Sequence, residues 1–72
     1  MTYDYNKLRG RIIEKFRTIG AFADDLGVTT QTVSAKLNNK NGFSQEDIEL
    51  WSEHLDIDRY EYPVYFFKRE VQ

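Results

Sequence analysis

The segment Phe22–Leu37, FADDLGVTTQTVSAKL, constrains the fold of this chain more than any other part of it. It reads as two short helices meeting at a tight corner. Phe22, Ala23 and Leu26 fall at i, i+1 and i+4, so they share the inward face of the first helix. Ala23 is small enough for the second helix to cross close by. Gly27 stands where the first helix must stop, and that position usually needs a positive φ, which glycine adopts at little cost. Val28 is expected to bury the corner, and Thr29 to cap the next helix by accepting from its free backbone N–H groups. Val33 and Leu37, at i and i+4, dock that helix inward and leave Thr30, Gln31 and Ser34 pointing outward. The helix-turn-helix so defined covers about residues 21–38.

These residues resemble the Cro and C1 repressor type of helix-turn-helix, with a pattern of roughly L-A-x-x-L-G-V-S-x-x-T-V-S. Phe22 stands for the leucine and Thr29 for the serine. Further along, Lys36-Leu37-Asn38-Asn39-Lys40, Gly42-Phe43-Ser44 and Tyr65-Phe66-Phe67 are similar to a family of very small proteins from temperate phages of Gram-positive bacteria. Within it the chain is most similar to the modulators of repression, antirepressors of a lysis–lysogeny switch. The resemblance implies an all-α, compact five-helix domain of the phage-repressor type. It also implies a partner, the DNA-binding domain of the phage CI repressor, with operator DNA bound alone or together with that repressor.

The length of 72 residues suits a single domain spanning 1–72, and such a chain buries only a modest fraction of its surface. A 40% hydrophobic share, 15% of the chain being aromatic, supplies one core, and four Gly with one Pro leave no material for a long linker. The absence of cysteine excludes disulfides and thiolate metal sites. No apolar run approaches the ~18–20 residues of a membrane span, and Met1-Thr2-Tyr3-Asp4 lacks a signal pattern, so the expected location is the cytoplasm of an infected or lysogenic host.

The net charge of −2 hides an asymmetry. Residues 1–40 hold seven Lys or Arg against four acidic side chains, and residues 41–72 hold three against eight. A basic half containing the outward helix suits a protein polarised toward a polyanion. The excess is nevertheless small for a dedicated DNA binder, because phosphate contacts supply most of the affinity. That shortfall leaves room for a protein partner.

Asp4 reads as the N-cap of a first helix running to about Phe16, with Leu8, Ile12 and Phe16 as its apolar stripe. Gly20 is expected to separate it from a second helix over Ala21–Leu26. The outward helix runs from about Thr30 to Asn38, and Asn38-Asn39-Lys40-Asn41-Gly42 is a loop. Ser44 and Asp47 form a capping-box pattern for a fourth helix, Phe43 can staple onto Ile48, and Ile48, Trp51 and Leu55 form its buried stripe. Glu46, Asp47, Glu49 and Glu53 then face out. Asp58 reads as the cap of a short fifth helix through Tyr62 that Pro63 should interrupt.

Thr30, Gln31 and Ser34 are candidate base readers, since the first residues of a recognition helix meet base edges in the major groove. Gln31 is the best placed chemically, because its amide can pair bidentately with adenine. Thr and Gln are also ordinary on a solvated helix start, but the intact motif around them favours contact. Thr32, Ala35, Lys36 and Lys40 complete the group expected to contact DNA or repressor, the lysines through phosphates or acidic partner residues. Lys7, Arg9, Arg11, Lys15 and Arg17 are candidates for a flanking phosphate-binding face. The acidic face of the fourth helix is either a solubilising surface or one that competes with DNA for a basic repressor domain. Tyr60, Tyr62, Tyr65, Phe66 and Phe67 divide between intramolecular packing and partner contact.

His54 is the only histidine and no cysteine accompanies it, so it cannot build a metal site. A Ser/His/Asp reading would be chance, the residue is expected to be structural or exposed, and no Gly-rich phosphate loop occurs. An enzyme, a cofactor and a small-molecule substrate are therefore not expected. The leading function is an antirepressor that engages CI and blocks or alters its operator binding. The alternative is a Cro-like repressor that binds operator DNA directly as a dimer. An antitoxin of the same domain type ranks third, because it would normally carry a further toxin-binding extension.

Overall fold

Helix α1 (Asn6–Phe16) buries Leu8 and Ile12 fully, the centre of its expected stripe. The computed structural model describes residues 2–70, and residues 1, 71 and 72, the ends of the expected 1–72 unit, lie outside that range. Asp4 serves the start of α1 from one position earlier than a cap: Tyr5 holds the cap position without a side-chain bond, while Asp4 Oδ1 accepts from Asn6 N at 2.8 Å. At the far end, Arg17 takes φ 72° and turns the chain.

Thr18 then opens α2 (Ile19–Leu26), its hydroxyl accepting from Ala21 N at 3.0 Å. Gly20, expected to separate the first two helices, lies inside α2 instead. A threonine in extended conformation with a free acceptor starts a helix at once, whereas a glycine within one only weakens it.

Gly27 ends α2 at φ 77°, in the left-handed region, and its N–H returns to Ala23 and Asp24 carbonyls. Thr29 caps α3 (Thr30–Leu37) by accepting from Thr32 N at 3.2 Å. Val28, expected to bury this corner, is 39% exposed, and the buried residues of the two helices are Phe22, Ala23, Val33 and Leu37.

Asn39, at φ 62°, continues the chain into the loop before α4 (Gln45–Leu55). The capping box at the start of α4 is complete. Asp47 N donates to Ser44 Oγ at 3.0 Å and Ser44 N donates to Asp47 Oδ2 at 3.0 Å. After α4 a 3-10 turn (Arg59–Glu61), capped by Asp58, leads into α5 (Tyr62–Phe66). Pro63 opens this last helix rather than interrupting it. In the first turn its missing N–H has no helical partner to lose and its fixed φ suits the helix.

A chain of aromatic rings runs through a core otherwise made of aliphatic side chains. Phe22 of α2 meets Trp51 edge-on at 4.9 Å, Trp51 meets Phe43 at 4.8 Å, and Phe43 meets both Phe66 and Tyr5 at 5.2 Å. Phe43, expected as a staple on Ile48, is thus the hub that joins the starts of α1 and α4 to α5. Such edge-to-face pairs align the positive rim of one ring with the negative face of the next. The N-terminal and C-terminal segments close the shell together. Asp4 N donates to Lys68 O at 2.7 Å and Glu70 N to Thr2 O at 3.2 Å, around a Tyr3–Arg69 bridge that is the only β pairing among the described residues. The fold is all-α, with five α-helices among the described residues.

Candidate recognition surface

The corner of α2 and α3 presents the residues singled out for contact, and it presents them unequally. Thr30, Gln31, Thr32 and Lys40 are exposed, while Ser34, Ala35 and Lys36 are half-buried. Thr29 and Thr32 share a hydroxyl hydrogen bond of 2.9 Å, which holds the first turn of α3. The outward start of α3 is therefore uncharged. The last turn of α2, which feeds the same corner, carries the exposed Asp24 and Asp25.

Lys36 serves the fold. Its ammonium donates to Asp47 Oδ2 at 2.9 Å and to Gly42 O at 3.1 Å, and it lies 5.7 Å from the centre of the Phe43 ring. Only 15% of the side chain is exposed. This places Asp47, expected on the outer face of α4, partly inside the molecule. Partial burial pushes the Asp47 carboxyl up, but the hydrogen bonds from Ser44 and Lys36 outweigh it and hold the group below its ordinary value.

An acid-side loss of stability follows from this. The folded carboxyl titrates below its unfolded counterpart near ~4, so its contribution is present above that value and disappears as pH falls through the folded one. Thermal melts taken from neutral toward about pH 3 should show a falling Tm for the parent and a smaller fall for Asp47→Asn. Equal falls would show that Asp47 contributes nothing to the dependence. Part of the fall should persist in the variant, because Asp56, exposed, is also held low, chiefly by its hydrogen bond from Lys15.

The five basic residues of α1 and its end do not converge on one face. Arg9 Nη2 donates to Leu37 O at 3.2 Å and Asn38 Oδ1 at 2.6 Å, at the end of α3. Arg11 reaches the end of α4, donating to Leu55 O at 2.8 Å and Asp56 O at 2.9 Å, with Glu14 alongside at 3.1 Å. Lys15 pairs with Asp56. Lys7 stands over the Tyr65 ring at 5.4 Å. Arg17 is exposed, and its side chain makes no hydrogen bond or ion pair among the described residues. Arg9 and Arg11 thus satisfy carbonyls that helix ends leave without partners, where a cation also suits the negative end of the helix dipole.

Several residues that matter here gave little sign of it in the sequence. Asn39 exchanges two 2.9 Å hydrogen bonds with the Tyr3 backbone and so ties the N-terminal segment to the end of α3. His54 Nδ1 meets the Asp25 carboxylate and links α4 to α2. The loop composition marked Asn39 as a turn residue, but no local pattern could name a partner 36 positions away. The terminal aromatics divide: Tyr65 and Phe66 are buried and Tyr62 is half-buried, whereas Tyr60 and Phe67 are 85% and 49% exposed.

A family model described as "Protein of unknown function (DUF739)" matches residues 1–69. No curated protein sequence matches the chain. Among solved structures, the solution structure of the modulator of repression (MOR) of the temperate bacteriophage TP901-1 from Lactococcus lactis is similar, with a TM-score of 0.84. The two sequences are 38% identical over 100% of this chain and 97% of that one. On both grounds, the chain belongs to the DUF739 family and shares its fold and ancestry with the phage modulator of repression.

Proposed function

We propose that this chain is a phage antirepressor of the lysis–lysogeny switch, a non-enzymatic regulator that binds the DNA-binding domain of the CI repressor and blocks or alters its operator binding. One observation carries the reading. Most of the cations expected to grip phosphate are engaged within the fold: Arg9, Arg11, Lys15 and Lys36 all hold protein oxygens. The exposed start of α3 is uncharged, and the last turn of α2 before it carries the exposed Asp24, with Asp25 held by His54. A surface of that kind is a poor match for DNA and a good one for the basic, DNA-reading face of a repressor, since complementary charge steers encounter and sets register. The 38% identity to a modulator of repression supports the same reading. Such a protein works in the bacterial cytoplasm, where the repressor and operator are. Among the described residues no helix is long and apolar enough to cross a membrane.

The Cro-like reading keeps one observation in its favour: Thr30 and Gln31 stand exposed on a well-capped first turn of a corner helix, where a helix-turn-helix of the Cro/C1 type would place base readers. Calorimetric titrations at ~150 mM salt separate the two functions. The isolated chain should bind the repressor domain and hold operator DNA only weakly, with a steep salt dependence. Gln31→Ala with Ser34→Ala should weaken the repressor complex by more than ~1 kcal/mol if the α3 start is the contact, and Glu49→Lys with Glu53→Lys should do so if α4 is. An absence of heat with the repressor domain, together with a shift of operator DNA by the parent chain, would establish the Cro-like function instead.

A further inference from the structure

The loop between α3 and α4 contains three asparagines that the fold treats differently. Asn38 Oδ1 accepts from Arg9 at 2.6 Å, and Asn39 is clasped to the Tyr3 backbone through both ends of its amide. Asn41 is exposed, and its side chain makes no hydrogen bond among the described residues. The residue after it is Gly42, also exposed, whose N–H donates no hydrogen bond among the described residues. A Cβ placed on Gly42 would meet nothing within 4 Å.

We propose that Asn41-Gly42 is a self-modification site, where the chain deamidates through a cyclic imide. The Gly42 nitrogen, after losing its proton to solvent base, attacks Asn41 Cγ and forms a new N–C bond. The side-chain nitrogen takes up a proton and leaves as ammonia. Water then opens the ring. Attack at Cγ restores the ordinary backbone with aspartate at position 41, and attack at the backbone carbonyl leaves isoaspartate, with the chain routed through the side chain. One water is consumed and one ammonia is released, and no other reactant is needed.

The selectivity comes from sterics and from the hydrogen bonds already described. A residue with a Cβ after the asparagine crowds the approach of its nitrogen, and glycine does not. Asn38 and Asn39 are each followed by a larger residue, and both side chains are occupied. Asn6 is followed by Lys7 inside α1. Only Asn41 combines a free amide, a following glycine and open space. The product adds a negative charge beside the Gly42 carbonyl that receives Lys36. The isoaspartyl form also lengthens the backbone just before Phe43, the hub of the aromatic core.

Ageing the folded full-length chain in warm, mildly alkaline buffer, followed by peptide mapping, tests this. The expected result is the small mass gain of exchanging NH2 for OH in the peptide holding Asn41, together with methyl uptake there by an isoaspartyl methyltransferase. Gly42→Ala should be at least ~tenfold slower, because its Cβ hinders ring closure. The open space at Gly42 keeps that variant folded, and a melt matching the parent's confirms it. Modification appearing first at Asn38 or Asn39 would overturn the proposal. So would an unchanged rate in Gly42→Ala, or a folded chain that stays intact while a denatured sample of it is converted.

Discussion

Phe66→Ala should cost about 3–5 kcal/mol, most of the stability that a domain of this size possesses. Phe66 is 2% exposed and sits at the end of the aromatic chain, edge-on to Phe43 at 5.2 Å and to Tyr62 at 6.0 Å. Deleting the ring removes its burial and leaves a cavity against Phe43, a neighbour shared with Trp51 and Tyr5, so α1 and α4 lose support together with α5. Phe67, the next residue, is 49% exposed. Its alanine variant should melt within roughly 0.5–1 kcal/mol of the parent. Urea melts of the two variants therefore distinguish a structural α5 from an appended tail. If Phe66→Ala unfolds no more easily than Phe67→Ala, the last helix lies outside the cooperative core. A repressor titration of Phe67→Ala adds a second reading, because a loss of binding without a loss of stability would mark the exposed side of α5 as contact surface.

Gly27→Val should lower stability by about 2 kcal/mol or more, a Tm drop of roughly 10 °C for a chain of this length. The cause is the backbone alone. Gly27 has φ 77°, and a Cβ there would meet nothing within 4 Å, so no clash with a neighbour contributes. A β-branched side chain in the left-handed region crowds its own carbonyl, and relief would require the corner to open and Thr29 to leave its capping position. Gly27→Asn should be milder, because asparagine tolerates that region. Gly42→Ala, at a glycine without positive φ, should leave the melt unchanged. Coincident melts for Gly27→Val and the parent would mean that the corner adopts another conformation in solution.

The two variants probe features of opposite legibility. The corner could be read from the chain because every signal in it is local. Gly27 ends a helix, Thr29 caps the next two residues on, and Ser44 with Asp47 caps α4 across three. These preferences act over a single turn, so neighbouring residues suffice to state them. The stripe of Leu8 and Ile12, and that of Ile48, Trp51 and Leu55, follow from the period of the helix in the same way. Where two local signals competed, the stronger chemistry decided. Thr18, a side-chain acceptor, overrode Gly20 as the start of α2, and Pro63 found the one part of a helix that accepts it.

The employment of the charges could not be read in that way. Arg11, Lys15 and Lys36 look like a phosphate-binding set because they are basic and lie on or near exposed helix faces. Their partners, Leu55, Asp56, Asp47 and Gly42, are brought to them only when α1 packs against α4 and the loop between α3 and α4 folds back. A cation is strongly drawn to an unpaired helix-end carbonyl once one is within reach, but reach is set by the crossing of helices and not by spacing along the chain. The same holds for Asn39 and Tyr3, and for the division of the terminal aromatics into the buried Tyr65 and Phe66, the half-buried Tyr62 and the exposed Tyr60 and Phe67. The sequence by itself determined the helices, their caps and the corner between α2 and α3, since those depend on contacts within a turn. Only the tertiary structure decided which charges and rings stayed exposed, because that depends on what packing had already consumed.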